Sequence, residues 1–151
     1  PGYEALPLDR KAEIVPFDAM RQMMTERCAS VRSMFRMVSK MGFAGIMHFE
    51  APPPIQDSDF IMKKLLENRE LAKSEQIVND PNVRLKLWLT QTIVMQNICL
   101  ATGVKYIKEV PGTSERGYLA EHYRKDSVHA TFEYGTALLT HAENTVNDWN
   151  Q

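Results

Sequence analysis

Residues 18–41, DAMRQMMTERCASVRSMFRMVSKM, decide how this chain folds. Met20, Met24, Cys28, Val31, Phe35 and Val38 recur every three or four positions, the period of one helix face. Met23, Met34 and Met41 widen that stripe. Asp18 follows Pro16-Phe17 and suits an N-cap, where a carboxylate accepts from first-turn N–H groups. Gly42 suits the left-handed position after a last helical turn. The spacing predicts a first helix over 18–41. Its charges are Arg21, Arg27, Arg32, Arg36 and Lys40 against Asp18 and Glu26, five minus two, or +3. Arg32, Arg36 and Lys40 are four apart and line up along one side.

Before that stretch, residues 1–17 read as an extended arm. Pro1, Pro7 and Pro16 break helices, and Leu6, Leu8, Ile14, Val15 and Phe17 lack helical spacing. Such an arm needs a surface to lie on, in this domain or a neighbour. After it, residues 42–57 read as a connector, with Pro52-Pro53-Pro54 favouring a polyproline segment. Asp57 or Ser58 caps a predicted second helix to about residue 78, carrying Phe60, Ile61, Leu65, Leu66, Leu71 and Ala72, with Lys63, Lys64, Arg69 and Lys73. Asp80-Pro81 is the strongest local signal: Asp caps, and Pro at the first helical position loses no hydrogen bond. A third helix follows, to about residue 103 and at most to 109, with Val83, Leu87, Trp88, Val94, Met95, Ile98 and Cys99 on a wide apolar face. Pro111-Gly112 stops it. Residues 113–151 read as mostly helical, capped by Ser114 and weakened by Gly117 and Gly135 into two short helices. The expectation is an all-α chain: an extended arm over 1–17, a three-helix domain over 18–110, and a helical C-terminal extension over 111–151.

With 151 residues, 44% of them hydrophobic and 25% charged, the chain is long and apolar enough to bury a core, and disorder is excluded. A net charge of -1 is not that of a chain built to blanket nucleic acid or an anionic membrane. No nucleic-acid partner is expected, and any basic surface is local. No run of 18 apolar residues exists, so no transmembrane segment is expected; Gln91, Gln96 and Asn97 interrupt the least charged stretch. No signal peptide or transit segment is visible, and the Pro1-Gly2 start reads as the result of removing a presequence or an initiator Met.

Searching for chemistry gives little. The chain has neither a glycine-rich phosphate loop nor a nucleophile elbow. Cys28 and Cys99 form no disulfide framework or zinc site and read as small core residues. His122 and His129 are seven apart on a predicted helix and would share a face, where Glu121 or Glu133 could add a metal ligand. They read instead as half-exposed helix histidines. No catalytic residue and no metal ligand is assigned, and the chain reads as a non-enzyme. The Met-rich helix either fills an irregular core or lines a site for a flexible, lipid-like chain. The Arg32, Arg36, Lys40 stripe is either a solvated face or a docking surface for an acidic partner.

Residues 31–36, VRSMFR, followed by Lys40, resemble the leucine-tyrosine-arginine motif of the LYR-motif protein family, with Met34-Phe35-Arg36 where Leu-Tyr-Arg would stand. Residues 77–83, IVNDPNV, look like the hydrophobic-x-Asp-Pro-x-Val turn between that family's second and third helices. The family's Phe on the second helix has no counterpart here; Leu71 or Ala72 occupies that region. The resemblance covers residues 18–109. It implies a three-helix LYR-type bundle that binds the acylated mitochondrial acyl carrier protein. Arg36 would grip the acidic carrier, with Arg32, Lys40, Arg69 and Lys73 around it. The acyl chain would enter a slot lined by Met24, Val31, Phe35, Val38, Leu65, Leu87, Val94 and Ile98, each buried methylene contributing about 0.8 kcal/mol. No cofactor would be bound directly; the acyl-phosphopantetheine arrives with the carrier. The extensions, with Trp149 near the end, favour burial on neighbouring subunits. The implied role is a non-catalytic accessory subunit of a large mitochondrial complex, respiratory complex I by preference, on the matrix side of the inner membrane. The alternatives are an iron–sulfur assembly adaptor, or a structural subunit of ATP synthase or the ribosome without a carrier protein.

Overall fold

The computed structural model describes residues 15–67 and 78–147. Most of residues 1–17, Arg69, Leu71, Ala72, Lys73, the far end of the expected second helix and Trp149 therefore lie outside the described residues.

The stretch over 18–41 forms two helices, α1 (Phe17–Arg27) and α2 (Ala29–Val38). They meet at Cys28, where φ is -88° and ψ is 9°. The Cys28 N–H still donates to Met24, and Cys28 accepts from Arg32, so the chain bends there without losing those bonds. The bend lets both helices follow α4 (Pro81–Thr102), keeping Met24, Cys28 and Val31 against one core. Asp18 is not the cap: Pro16 precedes the first turn, and Asp18 pairs with Arg21 at 3.0 Å.

The expected connector contains a strand, β1 (Met47–Phe49), parallel to β2 (Lys105–Ile107). Met47 faces Lys105, His48 faces Tyr106 and Phe49 faces Ile107. Parallel strands need a long crossover, here supplied by α3 (Ser58–Glu67) and α4. Asp57 caps α3, accepting from Phe60 N–H at 2.9 Å. Asp80 caps α4 through Asn82 N–H at 2.8 Å, with Pro81 in the first turn, as the Asp-Pro pair predicts. Gly103, at φ 70°, ends α4, so the third helix does not reach 109; β2 takes those residues. Arg84 ties the start of α4 to the chain ahead of α3, donating to Ile55 O at 2.8 Å, Gln56 O at 2.9 Å and Asn79 O.

The C-terminal segment is not two helices. Ser114–Glu115 (β3) and Tyr118–Leu119 (β4) form a hairpin whose turn residues, Arg116 and Gly117, have φ of 54° and 85°. Two positive φ values mark the turn whose twist matches antiparallel strands. Gly117 thus serves the hairpin rather than weakening a helix, and Ser114 is in a strand. A 3-10 turn (Glu121–Tyr123) and one helix, α5 (Phe132–Asn147), follow, with Gly135 inside α5.

The chain is mostly helical, as expected, but the described residues also hold four short strands, which an all-α reading omits. One core joins Phe35, Val94, Met95, Ile98, Cys99 and Val104; a second joins Ile55, Ile61, Leu119 and Tyr134, with Leu65 and Leu138 against it. No helix among the described residues is long and apolar enough to cross a membrane.

Candidate functional site

The loop 124–130 leads from the 3-10 turn into α5. It is closed at its base by the Arg124–Ala130 bridge and by Thr131 N–H donating to Tyr123 O at 2.8 Å. Inside it, His129 O accepts from Lys125 N–H at 3.1 Å, and Asp126 Oδ1 accepts from the N–H groups of Val128 and His129 at 2.9 and 2.8 Å. An aspartate that hydrogen-bonds its own backbone two residues on builds a tight turn. This one also brings Asp126 onto the His129 ring.

His129 Nδ1 lies 3.0 Å from Oδ1 and 2.9 Å from Oδ2 of Asp126. A carboxylate only accepts, so Nδ1 carries the proton and Nε2 of the neutral ring keeps its lone pair. Desolvation is the largest single influence on the Asp126 carboxyl and raises it, but the two backbone N–H groups and the imidazole together outweigh it and bring it down to about 2. The His129 side chain is exposed. Among the described residues no hydroxyl or thiol is hydrogen-bonded to its Nε2.

This geometry replaces the expected helical histidine pair. His122 lies in the 3-10 turn, its ring tilted 44° against that of Tyr123 with centroids 3.9 Å apart, and His129 lies in the loop, so they share no helix face. Among the described residues no three His, Cys, Asp or Glu side chains gather as a metal site. The Asp126–His129 pair was legible only as a spacing of three, which a helical reading of the segment hides.

Of the five residues that the resemblance gives to carrier binding, three are among the described residues. Arg36 and Lys40 are exposed and Arg32 is half-buried on or just after α2, while Arg69 and Lys73 lie outside the described residues. Phe35, Val94 and Ile98 pack on one another in the first core, with Met24 and Val31 against it, and Leu65 belongs to the second core. Val38 and Leu87 are half-buried. Cys99 is core, as expected; Cys28 is half-buried at the helix junction.

A second polar centre lies beside the strand pair. Glu50, buried, accepts from Thr92 Oγ1 at 3.0 Å, Tyr106 OH at 2.9 Å and Glu109 N–H at 2.7 Å. Burial pushes the Tyr106 hydroxyl up, and the Glu50 charge pushes it further. Burial likewise raises the Glu109 carboxyl, against a Ser114 hydroxyl that donates to it at 3.0 Å.

Compared with known protein families, with curated proteins and with solved structures, the chain matches none.

Proposed function

We propose that Asp126 and His129 form the general-base half of a hydrolytic site. The carrying observation is the double contact of His129 Nδ1 with both carboxylate oxygens, which leaves Nε2 as the ring's acceptor. A carboxylate on Nδ1 fixes the tautomer and steadies the imidazolium formed when Nε2 takes a proton from a hydroxyl nucleophile. In this reading Asp126 orients the ring and His129 Nε2 takes a proton from water as its oxygen adds to an ester carbonyl carbon; the tetrahedral adduct then breaks its bond to the alkoxide, which leaves with the proton returned from Nε2. The exposure of His129 suits a substrate that approaches from outside rather than one enclosed. Hydrolysis of p-nitrophenyl butyrate by the full chain tests this. Replacing His129 by Ala, or Asp126 by Asn, is expected to lower kcat/KM at least about a hundredfold. Equal rates in all three proteins would sink the reading.

A second reading is favoured by the outer side of α2, where Arg36 and Lys40 are exposed beside Met34, Met37 and Met41. In it the chain is a three-helix LYR-type adaptor that docks an acidic acyl carrier protein in a mitochondrial complex. Arg36→Glu is then expected to abolish co-purification of the carrier while leaving helix content unchanged; carrier retained by that variant refutes it.

A further inference from the structure

A cavity of about 220 Å³ lies where the Cys28 junction and α2 approach β1, β2 and α4. Its polar wall holds His48, Gln91, Thr92 and Tyr106, and Val31 and Trp88 are among its apolar lining.

Glu50 stands directly behind that wall, 5% exposed, held by two of the wall's own hydroxyls. Those two hydroxyls and the Glu109 N–H, which also donates to it, are all neutral. A buried carboxylate favours a cation placed close to it, since charge in the interior is poorly solvated. Thr92 and Tyr106 have given their protons to Glu50, so their oxygens have only lone pairs left to offer. Trp88 has given its only N–H to Ala51 O at 3.0 Å and presents the cavity with a π surface. Desolvation lowers the pKa of half-buried His48, so that ring adds no positive charge at pH 7. Gln91 and the His48 ring can each donate or accept, so the wall offers two acceptor hydroxyls and a π surface with a carboxylate behind them, which is recognition chemistry for an organic cation.

We propose that this cavity binds a small primary alkylammonium ion, its nitrogen hydrogen-bonded to the Thr92 and Tyr106 oxygens, its charge balanced by Glu50 and its alkyl stem against Trp88 and Val31. At about 30 Å³ per water-sized group, the volume admits about seven non-hydrogen atoms. The inference is independent of the Asp126–His129 reading, since it uses none of that loop.

Isothermal titration of the full chain with n-propylammonium, 1-propanol and propionate tests it. The ammonium ion is expected to bind at least about tenfold more tightly than its neutral and anionic counterparts. Glu50→Gln is expected to abolish that binding. Because Glu50 also holds Thr92, Tyr106 and the Glu109 N–H in place, Thr92→Val and Trp88→Leu are measured beside it, and are expected to weaken the amine about tenfold and about threefold. Equal binding of the three ligands, no detectable binding of the amine, or an affinity unmoved by both Thr92→Val and Trp88→Leu overturns the proposal.

Discussion

Asp126 holds His129 by both carboxylate oxygens, at 3.0 and 2.9 Å from Nδ1, while its Oδ1 also accepts from the backbone N–H groups of Val128 and His129. The carboxylate is thus stabilised in its charged form by the turn it builds as well as by the ring it orients. Its folded pKa, about 2, lies below the ordinary value of 3.8. A depressed carboxyl contributes stability that is present above the unfolded pKa and is lost as pH falls through the folded one. The expected outcome is a loss of stability between about pH 4 and pH 2 that Asp126→Asn does not share. Urea midpoints measured against pH for both proteins check it; parallel acid limbs would show that this carboxylate contributes nothing.

The same contact fixes a tautomer. In the neutral ring the proton is expected on Nδ1 of His129, because Asp126 offers only acceptors there. Asp126→Asn presents an amide that can donate as well as accept, and is expected to shift protons toward Nε2. Imidazole nitrogen chemical shifts of the two proteins, recorded in alkaline buffer, report this directly; a neutral wild-type ring protonated on Nε2 would contradict the geometry.

Arg84 is the fastener between the start of α4 and the chain before α3. Its Nη2 donates to Ile55 O at 2.8 Å and Gln56 O at 2.9 Å, its Nε donates to Ile55 O at 3.2 Å, and its Nη1 reaches Asn79 O. A lysine carries the charge but has no planar fork to serve several carbonyls at once. Arg84→Lys is expected to cost about 2 kcal/mol, and Arg84→Met about 3 kcal/mol because carbonyls lose their donors outright. Urea denaturation at pH 7 measures both, with an unchanged m-value confirming that the same structure unfolds.

These contacts show which parts of the fold a sequence reveals. The Asp80-Pro81 start of α4 was legible because its signal is local: a cap and a ring with a preset φ sit side by side. The pairing of β1 with β2 was not, because three-residue strands carry too little alternation to stand out and their register is set across the whole α3–α4 crossover. Residues 18–41 showed the right apolar stripe but not the bend at Cys28, since periodicity records a face and not a local ψ. Glu50 looked like an ordinary connector residue. Its importance comes from Thr92 and Tyr106, partners more than 40 positions away. The Asp126–His129 contact is local enough to read, but only once residues 124–130 are seen as a loop.

The β3–β4 turn offers a stabilising change. Arg116 holds φ at 54° and is the one non-glycine among the described residues with a positive value. A side chain there costs about 1 kcal/mol that glycine avoids, set against the extra chain entropy glycine brings to the unfolded state. Arg116→Asn relieves part of the strain without that penalty, and is expected to raise stability by about 0.5 kcal/mol. Gly117→Val, at φ 85°, is expected to lower it by about 2 kcal/mol. Thermal unfolding of the two variants should move in opposite directions; a shift of the same sign would mean the turn does not hold this conformation in solution.

Truncating Phe35 distinguishes a packed core from an open acyl slot. Its side chain is 7% exposed and belongs to the same buried cluster as Val94 and Ile98. In that packed cluster, cutting Phe35 to Ala removes contacts on all sides and leaves a cavity that the helices close only in part. The expected cost is about 3–5 kcal/mol, and Ile98→Val beside it costs about 1 kcal/mol. If Phe35 instead lined an open channel waiting for an acyl chain, it would be solvated on one side in the free protein. Its truncation would then enlarge an existing space at little cost. Urea denaturation of Phe35→Ala in the absence of any partner therefore discriminates: a loss above about 3 kcal/mol places Phe35 in a packed core, and a loss below about 1 kcal/mol, a typical surface effect, reopens the slot.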